Sequence, residues 1–255
     1  SLFEHLAELR MRIIRAGLAV LIGTIVVMAL YNRVLEWLAT PYGNLCARRG
    51  NEFCGLDPGV DPHEVRLVFL DPLEGFSTRL RVSFYGGFVL AMPVVLWQVW
   101  KFVVPALHKN ERRYAVGFVL SSVVLFAGGG AIAYWTLDKA LEFLIGFAGA
   151  DVVPTFQVQS YVRLVTLMVA AFGVGFTIPV LLVFLQLIHV LRPRQLLGWW
   201  RYSIVLIVLI AALITPSGDP ISLAALSVPM TVLYFLAIFV GWLLTRRGDR
   251  DAVPA

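Results

Sequence analysis

The sequence predicts an all-α integral membrane protein with six transmembrane helices, and three observations carry that prediction. First, 59% of the 255 residues are hydrophobic, only 15% are charged, and mean hydropathy is +0.82. Soluble domains sit near half apolar and a quarter charged. Second, several apolar runs reach the roughly 20 residues a helix needs to cross a hydrocarbon core about 30 Å thick. Third, the bases are sorted by the side of the membrane that their loops would face. A membrane β-barrel would alternate in segments of about ten residues, and no such alternation occurs.

In chain order, residues 1–12 (SLFEHLAELRMR) read as an amphipathic helix. Ser1 and Glu4 resemble a capping box, and Leu2, Leu6 and Leu9 share one face. The first span follows at about 13–31. A polar loop at about 32–71 holds Pro41, Pro58, Pro62 and both cysteines. Asp71, Pro72 and Glu74 then mark a helix start, with aspartate as N-cap and proline at the first helical position.

The second span is expected at about 82–102, with Arg79 and Arg81 snorkelling at its outer end and Pro93 bending it. A charged island, QVWKFVVPALHKNERR at 98–113, precedes a third span at about 114–137 that Asn110 would cap. The glycine run 128–130 favours close helix contact there. After a second outer loop at 138–159, a fourth span at about 160–190 is expected to be interrupted at Pro179. A basic turn carrying Trp199 and Trp200 leads to a fifth span at about 202–214. That span is too short to cross an ordinary core unaided. Asp219 and Pro220 repeat the cap signal before a sixth span at about 221–244. The chain therefore reads as one polytopic domain over 1–255.

Arg10, Arg12, Arg15, Lys101, Lys109, Arg112, Arg113, Arg192, Arg194, Arg201, Arg246, Arg247 and Arg250 fall on one side. The opposite loops mix five bases with eight acids, so the positive-inside rule puts both termini and the island in the cytoplasm. No cleavable leader is expected. The chain opens at Ser1 without a methionine, so a few native residues are expected ahead of it. No phosphate loop, HExxH or GxSxG motif occurs, which argues against an enzyme or a nucleotide-driven pump. No cofactor is implied, and His5, His63, His108 and His189 lack metal-binding spacing. Cys46 and Cys54 fall on the outer side, where a disulfide is feasible and two free thiols are the alternative.

Two acids stand among the cytoplasmic bases. Glu8 precedes Arg12 by four residues, which an ordinary helix pair explains. Glu111 follows Asn110 in a first helical turn, where the positive helix end favours an acid. Their shared setting supports a second reading, in which two carboxylates receive two guanidiniums from a basic peptide. Within the spans the polar candidates are Gln98, Thr166, Thr177 and Gln186. Such residues serve as interhelical glue more often than as ligands.

HLAELRMR at 5–12, Pro41, the island at 98–113, FGVGFTIPV at 172–180 and LITPSGDP at 213–220 together resemble the multispan subunit of the twin-arginine protein translocase, the TatC family. The resemblance covers essentially the whole chain. It implies a concave, glove-like arrangement of six helices with the last two short. It also implies a receptor in the inner membrane for twin-arginine signal peptides of folded cargo, driven by the proton-motive force. TatA- and TatB-type single-span partners are implied, with self-association. The family's signal-peptide site falls on Glu8 and Glu111, with Arg10, Arg12, Phe102, Pro105, Arg112 and Arg113 beside them. Thr177, Gln98 and Gln186 are the intramembrane polar positions for partner contact. Thr177 stands where the family commonly has a glutamate, and a threonine neither titrates nor carries charge. A small-solute transporter would need a polar midplane site, and an intramembrane hydrolase a Ser–His or metal constellation; neither is visible.

Overall fold

The computed structural model describes residues 2–54, 71–103, 115–148, 156–215 and 218–251. Its helices are α1 (Leu2–Ala29), α2 (Tyr31–Arg49), α3 (Glu74–Val103), α4 (Ala115–Ala148), α5 (Val158–Leu187), α6 (Pro193–Gly198), α7 (Trp200–Ile214) and α8 (Pro220–Asp251), with a 3₁₀ turn at Asn51–Cys54. By length and composition α1, α3, α4, α5 and α8 are each able to cross a membrane. The apolar α7, at 15 residues, rises only about 22 Å.

α1 and α3 run antiparallel and meet at glycines. A Cβ on Gly23 would lie 2.5 Å from the Gly87 carbonyl oxygen, and one on Gly87 would strike the Thr24 backbone. Near the far end of α1, Arg79 donates to the Met28 carbonyl at 3.4 Å. α4 crosses α5 in the same way: a Cβ on Gly129 would sit 2.5 Å from the Phe172 carbonyl oxygen. Of the 128–130 run only Gly129 makes this approach. Gly128 faces open space and Gly130 has ordinary contact.

α5 is the centre of the bundle, with Tyr161, Val165, Met168 and Phe172 buried against Leu137 and Leu141 of α4 and Leu226 of α8. Gly175 faces Leu226 and Met230, and Gln186 reaches the Ala237 carbonyl, so α5 and α8 run parallel. Asp219 caps as the sequence predicts, whereas Asp71 closes a turn ahead of α3, which begins at Glu74 with Pro72 outside it. Asp71 accepts the Leu73 amide at 2.8 Å, and Asp219 accepts the Ser222 amide at 2.7 Å.

Three expectations are corrected. The polar loop begins with a helix, α2, whose Leu38, Tyr42, Leu45 and Cys46 form one buried stripe against α4 and α5. Burial pushes the Tyr42 phenol up to about 12, so the ring packs in its neutral form. Pro41 lies inside this helix rather than ending it. Secondly, α4 continues past Leu137 to Ala148, because Asp138 and Glu142 are paired by Arg48 and Arg49 of α2. Tyr134 stacks on Trp37 at 4.3 Å and donates to its carbonyl, reinforcing the same seam. Thirdly, Pro179 does not interrupt α5, which is continuous over Val158–Leu187. Within a packed bundle, local adjustment and neighbouring helices satisfy the backbone groups that a proline frees.

Cys46 and Cys54 are joined by a disulfide, both residues buried, at the end of α2 rather than in an open loop. Tyr234, halfway along α8, donates to the Leu196 carbonyl and accepts from Ser203. The turn before α7 therefore lies about 15 Å short of Leu244, ten residues further along α8.

Candidate functional site

One end of the bundle gathers the start of α1, the end of α3, the start of α4 and the end of α5. Trp100 fixes this arrangement. Its indole nitrogen donates to Ser122 at 2.8 Å, its ring stacks on Phe118 at 5.0 Å, and Phe184 meets it edge-on at 5.3 Å. A tryptophan with its N–H satisfied and its ring packed against two other aromatic rings is a rigid anchor. It holds the two stems of the charged island, α3 before it and α4 after it, against α5.

On α1, from Ala7 onward, the less exposed positions are Glu8, Leu9, Arg12, Ala16, Ala19, Val20, Gly23, Thr24 and Val27, a single stripe facing α3. Glu8 lies one turn before Arg12 and accepts a hydrogen bond from its guanidinium. Arg12 is 11% exposed and Glu8 39% exposed, so the base is drawn into the α1–α3 seam while the acid stays at the surface. Arg10 is exposed on another face of α1. Lys101 is exposed and Phe102 half-buried at the end of α3. Glu111, Pro105, Arg112 and Arg113 lie outside the described residues, as does the cap expected from Asn110. The spacing of the two expected acids is therefore not described.

The intramembrane polar residues are dispersed. Thr177 donates to the Val174 carbonyl of its own helix at 2.7 Å. Gln186 is fully buried, and its amide donates to Leu182 of α5 at 3.2 Å and to Ala237 of α8 at 3.1 Å. It fills the space over Gly241, where no Cβ would fit, and is interhelical glue in the literal sense. Gln98 lies half-buried on α3 with its amide oxygen buried and unbonded. Among the described residues no group of three or more His, Cys, Asp or Glu is placed to hold a metal ion.

Sequence reasoning missed two features of this end. The Trp100–Ser122 bond left no local signal, since its partners are 22 residues apart across the island. The α1–α3 glycine crossing was hinted at by the Gly86-Gly87 pair, but Gly23 looks like any glycine in an apolar run.

Residues 4–229 match the family model described as Sec-independent protein translocase protein (TatC). The chain belongs to the TatC family. It is 38% identical over 252 residues to the Sec-independent protein translocase protein TatC of Frankia casuarinae, covering 97% of this chain and 68% of that one. The TatC of Aquifex aeolicus is 34% identical over 249 residues, covering 96% of each chain. A crystal structure of the twin-arginine translocase receptor TatC superposes with a TM-score of 0.74 at 34% identity, over 94% of this chain and 99% of that one. TatC proteins are multi-pass membrane components of a transport system, so this chain is a transport component and not an enzyme.

Proposed function

We propose that this TatC-family chain is the core receptor subunit of a twin-arginine translocase in the inner membrane, with both termini cytoplasmic. In this reading, twin-arginine signal peptides of folded cargo dock at the end that carries Glu8. The orientation is supported by the bases at that end, Arg10, Arg12, Arg15 and Lys101, against the mixed charge of Arg48, Arg49, Asp138 and Glu142 opposite. The observation that carries the proposal is Glu8. Its carboxylate projects from α1, is 39% exposed, and is oriented by Arg12. A partly exposed carboxylate is the natural partner for an incoming guanidinium.

Glu111 supplies the second carboxylate, with Arg10, Arg12, Phe102, Pro105, Arg112 and Arg113 framing the site. TatA- and TatB-type partners pack along α5, α7 and α8, near Thr177 and the hairpin that the short α7 makes with α8, in a six-helix arrangement powered by the proton-motive force. At 32 residues, α8 is not short as the resemblance implied. The lipid-facing side chains of α7, including Val205, Leu209 and Leu213, leave that flank open.

Site-specific crosslinking of a twin-arginine peptide tests the receptor role. Glu8→Gln combined with Glu111→Gln is expected to reduce crosslinking about tenfold or more, and unchanged crosslinking would refute the assignment. Cysteine crosslinking from α7 and α8 tests the partner surface, which fails if no single-span partner is captured there.

A further inference from the structure

The end of the bundle that carries Glu8 also holds buried hydrogen-bonding groups that neither the fold nor the carboxylate pair uses. Arg12 gives one terminal nitrogen to Glu8, while its Nε and its other terminal nitrogen are buried without a partner. The Gln98 amide oxygen is buried and unbonded as well. Buried donors and acceptors are nearly always paired, because stripping them of water is costly.

Helix register puts these groups at one level. Gly23 and Gly87 mark where α1 and α3 touch. Arg12 lies eleven residues before Gly23, and Gln98 eleven residues after Gly87. Eleven residues make about three full turns. Each residue therefore lies on the same helix face as its glycine, and the antiparallel run carries both in one direction. Trp100 agrees with this, since it faces α4 and α5 and is about 200° around α3 from Gln98.

We infer that Arg12 and Gln98 form a seat for one main-chain amide of the docked peptide, the carbonyl accepting from Arg12 and the N–H donating to Gln98. The inference rests on the receptor reading and adds a second kind of recognition to it. The chemistry favours an amide over an anion, because Glu8 already offsets the Arg12 charge and Gln98 presents an oxygen. The carboxylates then read which side chains arrive, while this seat fixes the height of the backbone that bears them.

The test uses the full chain in lipid nanodiscs and labelled twin-arginine and twin-lysine peptides. A series of twin-arginine peptides, each with one amide replaced by an ester, removes one N–H at a time. On the unaltered protein, one ester position is expected to weaken binding about five- to tenfold. Gln98→Leu is expected to weaken both the arginine and the lysine peptide by a similar factor and to abolish sensitivity to that ester. Glu8→Gln should instead shrink the preference for arginine over lysine. The seat is overturned if no ester position weakens binding to the unaltered protein, or if the ester costs Gln98→Leu as much as it costs the parent. If the parent does not distinguish arginine from lysine and Glu8→Gln changes nothing, the receptor reading itself fails.

Discussion

α1 and α5 have similar hydropathy, 2.0 and 2.4 over their most apolar stretches, yet 11% of that stretch is buried in α1 and 56% in α5. α5 packs against α3, α4 and α8, whereas α1 is held almost entirely by α3. In lipid, burial of apolar surface does not by itself drive helices together, and close packing of small residues does much of that work. One helix is thus the hub of the fold, and the other is attached along a single seam that begins in backbone contact and ends at the candidate site.

Four substitutions in the hub and along α1 should show effects that fall in order. Phe172→Ala empties a fully buried position of α5 and is expected to cost about 3–5 kcal/mol, read as a large drop in the thermal midpoint of the detergent-solubilised protein. A drop no larger than that of a surface variant would deny α5 its central role. Gly87→Leu overpacks the seam against the Thr24 backbone and is expected to cost about 1–3 kcal/mol. The signature is loss of α1–α3 cysteine crosslinks while α4–α5 crosslinks persist.

Gln186→Leu removes the bridge to Ala237, and interhelical bonds of this kind are worth about 0.6 kcal/mol on average in a membrane. A loss above about 2 kcal/mol would mean that Gln186 does more than join α5 to α8. Ile22→Ala, on the lipid-facing side of α1 at 61% exposure, is expected to stay within about 0.5 kcal/mol. A larger loss would show that α1 has a second partner.

The same contrast explains what could be read in advance. Hydropathy located every long apolar helix, since length and composition alone decide that. Asp219 was legible as a cap and Asp71 as the turn before α3 because their signals are local. α2 was not: its polar residues and Pro41 obscured the stripe Leu38, Tyr42, Leu45 and Cys46, whose spacing was nonetheless helical. Asp138 and Glu142 looked like a loop because the arginines that pair with them are about 90 residues away. In the candidate site, the four-residue spacing of Glu8 and Arg12 announced their pair. The common level of Arg12 and Gln98 depends on where α1 meets α3, which no local pattern records.

The glycine crossing also gives α1 a mechanical character. Arg12 stands about 16 Å along the axis from the Gly23–Gly87 fulcrum, so a tilt of about 10° there swings that level through roughly 3 Å. Such a swing is as long as a hydrogen bond. With most of its other flank exposed, the first helix depends on that one crossing to keep Arg12 at the level of Gln98.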